Sequence, residues 1–163
     1  LNESSSWVID ILAENNYVYD SSIVPAKSTM YGHPNAEHSP YRISSRSIEK
    51  NDSSGKLIEF PLLTTKFLGK KIPAAGGFYL RSLPTKVIKN AIKNYEKKCI
   101  PSTFYIHSWE LTPEFMPRLD LPLKDKFVTY HNLDKAYSRM SQLLKHFEFT
   151  SFGRYIAENK MMI

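Results

Sequence analysis

Apolar and polar positions change period several times along this chain, and each change marks a predicted element. Between Ser4 and Asn16, Trp7, Val8, Ile11 and Leu12 fall at i, i+1, i+4 and i+5, which makes one helical stripe whose first amides the preceding serines can cap. Asn15 and Asn16 tolerate the left-handed geometry that ends such a helix. Tyr17 to Ser22 predicts a short strand running into a turn, where Asp20 and the two serines can bond local amides. Residues 25–56 have little periodicity and are broken by Pro25, Gly32, Pro34, Pro40 and Gly55, so they read as one long loop in which Lys50–Ser54 is a hairpin tip or an exposed turn. Leu57 to Leu62 is the next strand, and Pro61 makes it an edge strand or ends it there. Glu59 is unusual inside that apolar run; period two would turn it outward between a buried Ile58 and Phe60. Pro84 suits the first turn of a helix reaching about Lys98, with Val87, Ile88, Ala91, Ile92 and Tyr95 on one face and lysines on the other. Ser102 to Leu111 then begins as a buried strand and delivers His107, Trp109 and Glu110 where that strand should end. Prolines 113, 117 and 122 punctuate a loop that leads to Phe127–Tyr130. Asn132 can cap a last helix running through Leu133, Ala136, Met140, Leu143 and Phe147, and Phe147, Phe149 and Phe152 are spaced as a final strand would be. The strand-helix-strand order favours the α/β class.

Composition narrows this picture. With 163 residues, 42% hydrophobic and 13% aromatic, the chain can build one ordinary core and is not a disordered segment. No run approaches the roughly 18 apolar residues of a membrane span. The start, Leu1-Asn2-Glu3-Ser4, has neither the basic opening nor the apolar centre of a signal peptide, so a cytoplasmic protein is expected. That start also lacks a methionine, and the chain reads as a cut piece of a longer protein. Cys99 is alone, which rules out an internal disulfide and suits a reducing compartment. The net charge of +6 invites a nucleic-acid reading. Its densest cluster, Lys86, Lys89, Lys93, Lys97 and Lys98, is spaced as the wet face of the amphipathic helix, which argues against that reading.

Candidate chemistry is sparse. A titratable group at the carboxyl end of a strand is a candidate acid or base, so His107 stands out; a hydrogen-bonded structural histidine is the alternative at this stage. His33 and His38 lie five apart with no cysteine nearby, which fits no common zinc spacing, so they read as loop residues. Tyr31, His33, His38, Tyr41 and Arg42 make the long loop suited to a polar ligand. Gly76-Gly77 permits close backbone approach, either to a substrate or to another chain segment.

Taken together, several motifs resemble the polysaccharide deacetylases of the NodB-homology class. They are Leu12-Ala13-Glu14 with Tyr17-Val18-Tyr19-Asp20-Ser21-Ser22-Ile23 and Pro25, Tyr31-Gly32 with Pro34, Pro40-Tyr41-Arg42-Ile43, Glu59-Phe60-Pro61, Gly76 to Arg81, Phe104 to Leu111, and His131-Asn132-Leu133-Asp134. The subgroup with a C-terminal extension, found near polysaccharide synthesis and export genes, is the most similar. The resemblance implies an irregular (β/α) barrel that removes an N-acetyl group from a sugar with one divalent metal, zinc being the expected ion. It implies that the metal polarises the amide carbonyl and activates water. His107 falls on the motif whose histidine protonates the departing amine, a role that suits a side chain titrating near neutrality. Trp109 would supply an apolar wall, Arg81 would orient the sugar or its acyl group, and Tyr79 and Tyr41 would also bind substrate.

The family's aspartate pair, its His-x-x-x-His and its Arg-x-Pro segment are absent from this sequence. The chain is therefore expected to be the second half of the barrel, residues 1–111, with an extension at 112–163 packed on it. It would carry the general-acid side of the pocket, no metal ligands, and no activity alone. Asp20 reads as a turn-forming residue near the pocket rim. An isolated half-barrel would expose a sheet edge, so a homo-oligomer or a rearranged sheet is expected. Two other functions stay open: hydrolysis of a non-sugar amide such as a cyclic imide, and a non-catalytic carbohydrate-binding module whose Tyr31, Tyr41, Tyr79 and Trp109 stack on sugars.

Overall fold

The computed structural model describes residues 1–27 and 32–161. After a short 3-10 turn, α1 spans Val8–Glu14 and the chain turns at Asn16, with φ 61°, into β1, Tyr19–Asp20. The expected long loop contains β2, Tyr41–Ile43, followed by β3, Leu57–Glu59. A hairpin of β4, Thr64–Phe67, and β5, Lys70–Pro73, comes next. Helices α2, Gly77–Ser82, and α3, Thr85–Glu96, then lead to α4, Ser108–Leu111. The remaining helices are α5, Leu123–Tyr130, α6, Ala136–Leu144, and α7, Phe152–Glu158.

The sheet has the order β1-β3-β2. β3 runs parallel to β1, with Tyr19 opposite Ile58 and Asp20 opposite Glu59, and antiparallel to β2, with Tyr41 opposite Glu59. It is thus the central strand, and of the two readings that Pro61 allowed, only termination holds. Past Glu59 the backbone stays extended and paired on both sides: the Leu62 amide donates to Ile23 and the Leu63 amide to Thr103, at 2.9 and 3.1 Å. Leu62 and Thr103 form a parallel bridge. That bridge replaces the regular strand expected at 102–106, and the backbone coils into α4 as soon as His107 is reached. The fold is mixed α/β with small sheets, and no closed barrel is formed among the described residues.

Other expectations change for local reasons. β2 escapes a periodicity search because it is short and owes its existence to Tyr41 and Ile43, both buried, facing α1 from the antiparallel flank of β3. Phe127–Tyr130 is the last turn of α5. No strand forms at 147–152; instead Phe152 opens α7 and its ring stacks on Phe60 at 4.3 Å, an apolar contact across the fold rather than along a sheet. Asn132 sits at φ 51° and its side chain donates to the Arg81 carbonyl, so α6 starts only at Ala136.

Two apolar clusters hold the elements. One gathers Ile9, Ile23, Tyr41, Ile43, Ile48 and Leu57 between α1 and the sheet. The other joins Leu63, Ala74 and Leu80 to the buried face of α3, Ile88, Ala91, Ile92 and Tyr95, and takes in Leu143 of α6. Each fully buried Ile or Leu side chain contributes roughly 1.5–3 kcal/mol. The segment beyond residue 111 is therefore fastened to the rest. Leu143 and Ala136 are fully buried, and Arg139 caps the end of α2 by donating to the carbonyls of Leu80, Arg81 and Leu83 at 2.8–2.9 Å.

Candidate functional site

His107 is the last extended residue before α4, and that position decides its surroundings. One turn of helix brings Glu110 back beneath it: the His107 amide donates to Glu110 Oε2 at 3.0 Å, and His107 Nδ1 lies 3.2 Å from the same oxygen. The other carboxylate oxygen accepts from Arg81 Nε and from its terminal nitrogen, at 3.2 and 2.9 Å. Glu110 is 2% exposed and Arg81 1%, whereas the His107 side chain is 44% exposed. The result is a line from a buried cation through a buried anion to a surface imidazole.

Glu110 holds the imidazole with Nδ1 carrying a proton toward the carboxylate, which directs Nε2 away from it. There Nε2 meets the Tyr105 hydroxyl at 2.6 Å. Trp109 stacks on the ring at 5.2 Å between centroids, 23° from parallel. Tyr105, half-exposed, and Trp109 thus bracket the histidine from two directions.

Arg81, expected to orient a substrate, is enclosed by the protein itself. Nε also donates to the Gly77 carbonyl, and the two terminal nitrogens donate to the carbonyls of Val128, Thr129 and His131. All five guanidinium N–H groups thus have protein acceptors. Its role is to neutralise Glu110 in a buried setting and to tie the end of α5 to the site. Gly77 makes this possible, because a Cβ there would lie 1.7–1.9 Å from the Glu110 carboxylate. Of the two readings of the glycine pair, approach to another chain segment is the one realised at Gly77.

The other sequence candidates are elsewhere. Tyr41 is buried at 3% exposure with its hydroxyl donating to the Ile48 carbonyl, and burial raises its phenol far above the usual range. It therefore has no face for a sugar. Tyr79 is partly buried against the α3 core, edge-on to Phe78. Tyr31 lies outside the described residues. His33 is enclosed between Glu49 and the Leu1 carbonyl, and His38 bonds Tyr95 Oη at 2.7 Å. Among the described residues no group of three or more His, Cys, Asp or Glu side chains could hold a metal ion.

Sequence reasoning singled out a second carboxyl without placing it. Glu59 does not face outward; it is fully buried and accepts the amides of Ser22 and Ile23 at 3.1 and 2.9 Å. Burial pushes its carboxyl up to about 8, against the two amide bonds, and the neighbouring Asp20 adds to the rise. Asp20 bonds Glu59, and Ser21 Oγ donates to the Phe60 carbonyl, so the expected turn residues bond across to β3 rather than locally. The available signal was a glutamate in an apolar run. For Glu110 it was the i, i+3 spacing from His107.

Residues 21–157 match the family described as Domain of unknown function (DUF3473). The chain belongs to that family. The DUF3473 match begins just after β1 and runs from β2 into α7, so the Arg81–Glu110–His107 line and the carbonyls at 128–131 that hold Arg81 lie within one family unit. No curated protein and no solved structure matches the chain significantly.

Proposed function

We propose that this DUF3473 chain is the C-terminal part of a metal-dependent carbohydrate N-deacetylase, with His107 as the group that protonates the leaving amine. The observation that carries the reading is the Arg81–Glu110–His107 line ending on a half-exposed imidazole between Tyr105 and Trp109. DUF3473 is known as the C-terminal region of polysaccharide deacetylase-like proteins, which agrees with the motif resemblance. Extended segments at 18–23, 57–63 and around 103 run parallel and adjacent, as successive strands of a half-barrel would, and His107 follows the third.

The chemistry assigned to this chain is proton delivery. With Nδ1–H directed at Glu110, the imidazolium has its second proton at Nε2, where it can pass to a substrate nitrogen as the C–N bond breaks. Tyr105 then has to swing away from Nε2 so that the leaving nitrogen can take its place. Glu110 fixes the orientation of the ring through Nδ1, and Arg81 pairs with the buried carboxylate. Trp109 would give the sugar an apolar wall. The metal proposed for the parent enzyme would take its ligands from outside this chain, since the aspartate pair and His-x-x-x-His of the family are absent from this sequence, and no step here passes through it.

The test is acetate release from N-acetylglucosamine oligomers by the longer parent protein with added zinc. His107→Gln should lower kcat by at least about 100-fold with KM little changed. Glu110→Gln should lower kcat less, because the ring keeps its stacking on Trp109 and loses only its charged partner at Nδ1. Turnover by the isolated chain would refute the division of labour, and full activity of the His107 variant would refute the assignment. A cyclic-imide substrate run in the same assay separates the non-sugar alternative.

A further inference from the structure

The β4–β5 hairpin has features that neither the fold nor the His107 site uses. Its two-residue loop, Leu68-Gly69, has φ 49° and 76°, the double positive φ of a type I′ turn, for which Asn-Gly is the preferred pair. A leucine at the first position is strained by its own Cβ. It is also 86% exposed, so no packing offsets that strain. Local preference and fold therefore both disfavour Leu68.

The charges around it are equally one-sided. Lys66 and Lys71 face each other across the hairpin, a like-charge pair that disfavours pairing, and Lys70 follows the turn. Phe67 and Ile72 pack against the core on one face, with Lys70 beside the turn at its exposed end; Lys66 and Lys71 share the other face, whose far end is the buried Thr64. That face abuts His38, on which Lys71, Lys98 and Lys50 all act. Lys71 is acted on by Lys50 and Lys66. The nearby loop carboxylates are engaged elsewhere, Glu37 with the Asn51 amide and Glu49 with His33. None of these lysines is in an ion pair found among the described residues, although Lys71 Nζ donates to the Pro34 carbonyl at 3.3 Å, a bond that it would exchange for a phosphate.

We infer that the hairpin is a docking element for an anionic lipid surface, with Leu68 entering the headgroup layer and Lys66, Lys70, Lys71 and Lys50 meeting the phosphates. An exposed apolar tip flanked by cations suits that interface. A soluble polyanion would account for the lysines and leave Leu68 unexplained, which is why the lipid surface is favoured.

The test is co-sedimentation of the full chain with vesicles of phosphatidylcholine alone and of phosphatidylcholine mixed with phosphatidylglycerol, alongside binding to a soluble polyuronate. Binding is expected to the phosphatidylglycerol vesicles only. It should weaken about thirty-fold on joint Lys66→Gln and Lys71→Gln substitution, and about tenfold in Leu68→Asn. Because Asn suits the turn, Leu68→Asn should melt no lower than the parent chain, which removes misfolding as an explanation. Absence of binding to phosphatidylglycerol vesicles overturns the proposal. So does vesicle binding that Leu68→Asn leaves unchanged while polyuronate binds as tightly, since the patch would then be a polyanion site.

Discussion

Replacing Gly77 with alanine is a small change with a large expected effect. The added Cβ would stand 1.7, 1.8 and 1.9 Å from Oε1, Oε2 and Cδ of Glu110. A carboxylate is normally the mobile end of its side chain and could swing aside cheaply. Here it cannot, because it is 2% exposed and held by Arg81 on one oxygen and His107 on the other. Moving it strips a buried guanidinium of its anion, and breaking a buried pair costs about 3–5 kcal/mol. Partial relaxation of α2 recovers some of this, so a loss of about 3 kcal/mol is expected, or a Tm lower by roughly 6–12 °C for a chain of this size. Urea unfolding followed by circular dichroism measures it. The cause can be isolated with a double-mutant cycle: in a Glu110→Ala background the clash is gone, and Gly77→Ala should cost less than about 1 kcal/mol. Additive losses in the cycle, or a stable Gly77→Ala chain with unchanged unfolding, would refute the packing argument and with it the claim that Gly77 exists to admit Glu110.

Two further outcomes follow from the other buried groups. Glu59 binds its proton more tightly folded, at about 8 against an ordinary 4.5, so its contribution to stability is complete below about pH 4.5 and is lost as pH rises through 8. Urea midpoints should therefore fall between pH 5.5 and 8.5 by an amount equivalent to about 3 kcal/mol, and Glu59→Gln should flatten that slope; an unchanged slope would show that another group sets it. Tyr41→Phe removes the bond to the Ile48 carbonyl and should cost about 1–2 kcal/mol while leaving any sugar affinity intact. Weakened sugar binding at unchanged stability would restore Tyr41 as a contact residue.

Periodicity in the sequence was enough for α1, α3 and the core of α6, because each buries one continuous face and its apolar spacing records that face directly. It was enough for β1 and β3 as well, and it singled out His107 and Trp109, which lie close in sequence and meet through local geometry. Asp20 was expected as a turn residue, and folding instead puts it in β1 opposite Glu59, with Ser21 and Ser22 also bonding across to that strand. β2 and the hairpin could not be read, since short strands are held by their neighbours rather than by their own pattern. The largest revision concerns Arg81 and Tyr41. Sequence offered them as polar and aromatic groups for a substrate, and the structure encloses both. Whether a guanidinium reaches a ligand depends on what lies against it, and here residues 77, 110 and 128–131 close around it from separate stretches of chain. The chain's residue types therefore determined which chemistry was available, whereas tertiary packing decided which groups face solvent. A side chain's accessibility is set by contacts between segments distant in sequence, and no local pattern encodes those contacts.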